Sequence, residues 1–218
     1  RLKMLGQNRA FNYTISKIYY ERFLEYGSNA KGSFWVSKKT QELRFEIILR
    51  ELAKIVQLTA KPVFHLADVG CGYGALSHYL EEQNDLKHFT YSGYDISQKL
   101  INECKSKNIY DWAEFDVATA PVKPTMFTIM SGTYNLAPTT NLILWEQHVE
   151  ACLQSCWDKT LNAMVFNMQV AEKARISKNK IYYTNAIKMV EICVARFGPT
   201  KIVRNNKLPN DATFVVRK

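Results

Sequence analysis

The stretch "HLADVGCGYGALSHYL", His65 to Leu80, reads as a buried strand, a glycine-rich turn and the start of a helix. A turn of this kind lets a ligand approach the backbone closely, with amide donors at the mouth of the helix. Its glycines fit two patterns. Gly70, Gly72 and Ala75 satisfy the dinucleotide fingerprint in its Ala-tolerant form, and Gly70, Gly72 and Gly74 satisfy a tighter Gly-x-Gly-x-Gly. No Gly-Lys-Ser/Thr follows, which excludes a nucleoside-triphosphate phosphate loop. Asp68 discriminates further: a carboxylate two positions before the first glycine repels a pyrophosphate and can orient an ammonium group. The turn suits a cationic, phosphate-free nucleoside.

Three more segments follow in series. Asp95 closes "TYSGYD" 21 residues after Gly74, where an ionised acceptor at a strand tip can take hydrogen bonds from both hydroxyls of a ribose. Asp116 lies in "EFDVA", and Ser131 and Gly132 lie in "IMSGTYNLAP". Together with "ADVGCGYG" these segments resemble the class I S-adenosylmethionine-dependent methyltransferases, over roughly residues 61 to 218. The resemblance implies a Rossmann-like three-layer α/β/α sandwich whose seven-stranded, mostly parallel sheet ends in an antiparallel strand. It also implies S-adenosyl-L-methionine as cofactor and S-adenosyl-L-homocysteine as product. Carried residue by residue, the cofactor set is Asp68, Gly70, Cys71, Gly72 and Gly74 at the turn; Asp95 and Ile96 at the ribose; Asp116 and Val117 at the adenine; and Ser131 and Gly132 beside the methionine moiety. NAD-binding folds also place an acid at the position of Asp95, so that residue alone does not discriminate. "FWVSKKTQELRF" and "LPNDATFVVRK" further resemble the terminal signatures of a group of bacterial class I methyltransferases with unassigned substrates.

Methyl transfer from a sulfonium is an in-line displacement, and alignment alone can supply on the order of 7 to 11 kcal/mol. A general base is optional: a hydroxyl of high pKa wants one, a carboxylate or neutral amine does not. Candidate catalytic residues are Tyr134, Tyr182 and Tyr183, and candidate substrate-binding residues are Trp35, Arg44, Tyr134 and Asn135. Tyr134 can set its ring near the sulfonium or serve as a rim aromatic. Tyr182 and Tyr183 can equally be packing residues. Arg44 suits an acidic substrate, the cofactor carboxylate or a surface ion pair. "SGTY" echoes the motif of exocyclic-amine methyltransferases but lacks both prolines, so base N-methylation gains little support. His65, His78, His88 and His148 show no metal-ligand grouping, and His148 is a remote base candidate. Cys152 and Cys156, at i and i+4, read as core packing, and Cys71 as a small residue that the turn accommodates.

Elements able to position these groups are legible from residue 61 onward. Val63 to Val69, Phe89 to Tyr94, Ala113 to Phe115, Met126 to Ser131 and Ala163 to Met168 read as strands. Ala75 to Glu82, Gln98 to Lys107, Leu142 to Asp158 and Asn185 to Phe197 read as helices. Alternation of this kind gives a parallel sheet with ligands at the carboxyl ends of its strands. The tail "TKIVRNNKLPNDATFVVRK" adds an antiparallel pair. Residues 1 to 60 read as an N-terminal helical extension or lid of the same single domain: one helix carries the stripe Ile15, Ile18, Tyr19, Arg22, Phe23 and Tyr26, with Arg22 its one polar member, and a second is capped by Ser37. Between them, "GSNAKGSFWVS" holds Phe34 and Trp35 in a loop.

With 218 residues, 47% of them hydrophobic, the chain can build one sizeable core. No apolar run reaches the roughly 18 residues of a membrane span, so a cytoplasmic protein without membrane partner is expected. Five cysteines without Cys-x-x-Cys indicate neither a disulfide framework nor a zinc ribbon. The net charge of +9 admits nucleic acid as a partner. Yet the densest basic run, "EKARISKNK", lacks interleaved aromatics and reads as a solvated loop or helix face. The expected function is methyl transfer to oxygen or nitrogen of a small molecule. An RNA or other macromolecular methyltransferase and a catalytically silent cofactor-binding protein stand as alternatives, and the oligomeric state is left open.

Overall fold

The computed structural model describes residues 2–56, 64–83, 89–107 and 110–218. The boundary read between residues 60 and 61, Val63 at the head of the first strand and His88 lie outside the described residues. Two helices come first, α1 (Leu2–Tyr26) and α2 (Lys38–Val56), joined through a 3-10 turn at Ala30–Ser33. Then β1 (Phe64–Val69), α3 (Ala75–Glu82), β2 (Phe89–Asp95), α4 (Gln98–Lys107), β3 (Ala113–Val117) and β4 (Thr125–Ser131) follow. The chain continues with α5 (Leu142–Trp157), β5 (Thr160–Gln169), β6 (Arg175–Ile176), β7 (Tyr182–Tyr183), α6 (Ala186–Arg196), β8 (Thr200–Val203) and β9 (Asp211–Arg217). Asn141 and Asn185 cap α5 and α6 through their side-chain oxygens, and the Ser37 hydroxyl accepts from the Thr40 amide as expected of an N-cap.

Seven strands form one sheet in the order β3-β2-β1-β4-β5-β9-β8. β1 to β5 are mutually parallel, and β9 runs antiparallel between β5 and β8. The expected seven-stranded sheet with a reversed final strand is therefore observed. The register pairs Asp68 with Gly93 and Ile129, and Ser131 with Asn167, which aligns the carboxyl ends of the central strands on one edge. Because β9 is reversed, its first residue, Asp211, lies opposite Gln169 on that same edge.

One face of the sheet is covered by α2, α3 and α4 through Phe45, Ile48, Leu76 and Ile101. The other is covered by α5 and α6 through Trp145, Val149, Leu153 and Met189. Parallel crossovers normally take a dozen or more residues and a helix. The connection from Val117 to Thr125 contains none. Its Ala118 and Ala120 pack on the core from a bent, irregular segment, and α1 fills the remaining layer. Ile15 is buried in the same cluster, and the Phe11 ring meets Trp145 edge-on at 5.8 Å and His148 at 5.4 Å. The basic run from Lys173 to Lys180 is neither helix nor plain loop: it turns between β6 and β7, an antiparallel hairpin with its own two-stranded register.

Because α1 completes a layer, its apolar contacts belong to the cooperative core. Ile15→Ala is expected to cost about 2 kcal/mol, the low end for buried isoleucine because the site borders a cleft. Urea denaturation measures this; a cost near zero would mean that α1 is only loosely docked.

Candidate functional site

Leaving β1, the chain reverses through Gly70, Cys71 and Gly72 before α3 begins. The amides of Gly70 and Cys71 both donate to the carbonyl of Tyr94, at 2.7 and 3.0 Å, tying the turn to the end of β2. Gly70 has φ +82, and a Cβ there would lie 2.6 Å from the Thr133 methyl group. Thr133 itself donates its hydroxyl to the Val69 carbonyl at 2.7 Å, so the turn and the end of β4 close on each other.

Asp95 accepts from the Gly72 amide at 3.0 Å through Oδ2 and from the Ser97 amide at 2.9 Å through Oδ1. Its burial raises its pKa, and those two amides act in the opposite direction. Asp68, also buried, accepts from the Tyr91 hydroxyl at 2.7 Å, and burial pushes its carboxyl up to about 7. At the end of β4, Asn167 of β5 accepts from the Gly132 amide at 2.7 Å and donates to the Ser131 hydroxyl at 3.2 Å.

These groups line a cleft at the strand ends. Asp68, Gly70, Cys71, Gly72, Asp95, Ile96, Ser131 and Gly132 lie in its walls. Asn12, Ile15, Ser16 and Tyr19 of α1 form one side, and Trp145, His148 and Cys152 of α5 close the far end. His148 is buried and held neutral by desolvation, with its pKa down at about 4. It shares a hydrogen bond of 2.9 Å with Asn8 through Nδ1.

A second, open cavity adjoins the first. Tyr19, Ser33, Trp35 and Gly132 line both. The Trp35 ring packs so closely on Gly132 that a Cβ there would lie 2.4 Å from it. The Arg44 guanidinium stands over the Trp35 ring, 4.3 Å from its centroid. The second cavity also takes in Asn135, Gln169, Tyr183, Lys207 and Asp211.

Several sequence expectations need correction. β3 runs on to Val117 instead of ending at Phe115, so Asp116 stays in the ladder, opposite Tyr94. Its carboxylate faces solvent and pairs with Lys105 at 3.4 Å, while Val117 is exposed. Neither lines the cleft; Ala118 and Thr119 do. Gly74 caps α3 with φ +85 and lies outside the lining as well. Tyr182 is buried and turns its hydroxyl to Glu146 at 3.2 Å, away from both cavities. Adjacent strand residues face opposite ways, and its neighbour Tyr183 does reach the second cavity. Tyr134 lines the first cleft, but its hydroxyl meets the Met130 sulfur at 3.3 Å and burial raises its pKa, which suits a wall and not a proton carrier.

Arg44 is not a surface residue. It is buried and forms an ion pair with Asp211, whose other oxygen accepts from the Gln169 amide group. Arg44 also donates to the Thr40 carbonyl at 2.7 Å, while its Nε has no partner among the described residues. Burial lowers Arg44 and raises Asp211 against their mutual attraction, as expected for a pair withdrawn from water.

The sequence reading missed the α1 side chains in the cleft wall, Trp145 and Cys152 of α5, Asn167 and Asp211; His148, its remote base candidate, does line the cleft. The missing helix between β3 and β4, marked by Pro121 and Pro124, was the available signal for α1.

No model of a known protein family matches the chain. Among curated proteins, the "Putative methyltransferase Rv1506c" of Mycobacterium tuberculosis is 23% identical over 165 residues, spanning 74% of this chain and 97% of that protein. Among solved structures, the magnesium protoporphyrin IX methyltransferase ChlM of Synechocystis PCC 6803 with bound S-adenosylhomocysteine aligns with a TM-score of 0.59 at 14% identity, over 82% of this chain and 83% of that one. A SAM-dependent methyltransferase of Leishmania major aligns at 0.60 and 11%, over 93% and 82%. The fold is that of the class I methyltransferases.

Removing the guanidinium leaves a buried, unpaired carboxylate. Arg44→Ala is expected to destabilise the fold by about 3 to 5 kcal/mol. Arg44→Met combined with Asp211→Leu is expected to recover most of that loss. Thermal or urea unfolding of both variants checks this, and equal losses would mean that the pair is not the source.

Proposed function

We propose that the protein is an S-adenosylmethionine-dependent methyltransferase that moves a methyl group to oxygen or nitrogen of a small molecule. The observation that carries this reading is the cleft itself, where the glycine turn, Asp68 and Asp95 converge at the ends of parallel strands. The residues fit such a cofactor. Asp95 is an acceptor-only group fixed by two amides, suited to a pair of ribose hydroxyls. Asp68 is a buried carboxyl that gains from a cationic neighbour. Ile96, Ala118 and Thr119 would flank the base, and Cys71, Gly72, Ser131 and Gly132 would approach through backbone or small side chains.

Bound there, S-adenosylmethionine supplies an electrophilic methyl group. The chain's own part is to orient, to exclude water and to hold charge. Trp35 and Tyr19 close the cleft from the N-terminal side, so α1, α2 and the segment between them act as cover and wall. That cover, and the ChlM likeness, support a small acceptor over a macromolecular one.

Calorimetric titration with S-adenosylmethionine, S-adenosylhomocysteine and NADH tests the cofactor: the first two are expected to bind and the third not, and the reverse would overturn the reading. Asp95→Ala is expected to weaken cofactor binding by at least about 1.5 to 3 kcal/mol, since it removes a charged acceptor and also frees the Gly72 amide. Affinity unchanged by Asp95→Ala would refute the ribose assignment.

Asp68 gives the binding a pH dependence. Its carboxyl is raised to about 7 by burial in the free protein, so below that pH it must lose a proton to face an ammonium group. Cofactor affinity is expected to rise as pH increases from 6 to about 7.5, with proton release on binding, and Asp68→Asn is expected to flatten that rise. The same shift acts on stability in the opposite sense. The folded state holds the proton to higher pH than the unfolded chain, so this group's contribution is largest near pH 4 and declines toward 7.

A further inference from the structure

Resting on the functional reading above, we infer that the second cavity is the acceptor site and that it takes a flat, largely apolar molecule already anionic at neutral pH. Its position is the first argument. The cavity meets the cofactor cleft at Gly132 and Trp35, where the β4 end brings the two spaces together, so an acceptor lodged there lies beside the methyl donor, and in-line transfer requires the Trp35 side chain to turn out of the line between them. The Trp35 side chain is the divider, with its Cη2 and Cζ2 atoms against Gly132 and the Arg44 guanidinium over its ring.

The walls are the second argument. Phe34, Trp35 and Tyr183 supply aromatic faces, and Leu136, Ile181 and Leu208 supply aliphatic ones. Such surfaces hold a planar apolar body.

Charge is the third. Arg44, Asp211 and Lys207 are the charged residues lining the cavity. Arg44 and Asp211 neutralise each other. Lys207 is exposed and has no side-chain partner among the described residues, which leaves one uncompensated positive charge. Just outside, Arg175 lies 4.4 Å over the Tyr183 ring and adds a second.

The same inventory bears on the chemistry. No free carboxylate and no imidazole line the cavity among the described residues: Asp211 is consumed by Arg44 and Gln169, and His148 lies in the other cleft. A hydroxyl of high pKa would find no group there to take its proton. An acceptor ionised before binding has none to lose. Its own lone pair forms the new bond to carbon while the electrons of the breaking carbon–sulfur bond stay on sulfur, and the charges of oxyanion and sulfonium cancel. A carboxylate or an acidic phenol or enol meets that requirement.

The test uses protein saturated with S-adenosylhomocysteine and three probes of similar shape: 4-hydroxybenzoate, 4-hydroxybenzamide and tyramine. Saturation-transfer NMR titrations are expected to rank the acid first, roughly threefold to tenfold tighter than the amide, as one charge-assisted contact at an open site allows. Lys207→Gln is expected to reduce the preference while affinity for S-adenosylhomocysteine stays unchanged, the remainder coming from Arg175. Lys178→Gln, an exposed basic residue outside the lining, is expected to leave the preference intact. Equal binding of acid and amide, binding of none of the probes, or equal effects of the two lysine substitutions would each overturn the proposal. Failure to bind S-adenosylhomocysteine at all would instead overturn the cofactor assignment, and calorimetry separates the two.

Discussion

A chain that leaves a buried parallel strand and enters a helix within five residues must turn sharply where both ends are fixed. That constraint organises the functional edge of this protein. The turn after β1 survives because the amides of Gly70 and Cys71 share the Tyr94 carbonyl and the amide of Gly72 finds Asp95. Each of those acceptors belongs to β2, so the register between β1 and β2 fixes the turn as firmly as the glycines permit it. Thr133 adds the tie to β4. With three strand ends locked together, the cleft has a floor that does not depend on a ligand.

Burying acids along such an edge is costly, and the protein meets the cost in three different ways. Asp95 is solvated by backbone amides, which oppose the rise that burial imposes on its carboxyl. Asp68 has a single phenolic donor, so its carboxyl titrates near neutrality and its charge state answers to what lies in the cleft. Asp211 is matched by an arginine and serves as a structural post. The three carboxylates thus divide the labour of anchoring, sensing charge and bracing, and the division follows from the donors around each.

The glycine turn, the strand–helix alternation and most helices could be read from residue order, because each rests on local chemistry: backbone freedom, a short apolar run or a 3.6-residue period; the seven-stranded sheet with its reversed strand and the place of Asp95 came from the family resemblance. What escaped depended on contacts far apart in the chain. Asp116 was expected at a strand tip, but a strand two residues longer than its hydrophobic run kept it in an edge ladder facing solvent. Arg44 sits among apolar neighbours on α2, and nothing local announces that Asp211, at the far end of the chain, will neutralise it. Tyr182 and Tyr183 differ only in the parity of a two-residue strand, which is set by pairing with Arg175 and Ile176. The role of α1 arises from an absence elsewhere, the helix that the β3–β4 connection is too short to form.

The reversed strand explains why there are two cavities. Were β9 parallel to β5, its first residue and the loop before it would lie at the opposite edge of the sheet. Running antiparallel, it carries Asp211 and the segment through Lys207 to the edge where β4 and β5 end. The ion pair between Asp211 and Arg44 then draws α2, and with it the Trp35 loop, over the gap beside β4. Trp35 can approach only because position 132 has no side chain. A reversed strand, one buried ion pair and one glycine therefore raise a wall between two spaces, and a ring on a loop is the part of that wall best able to move.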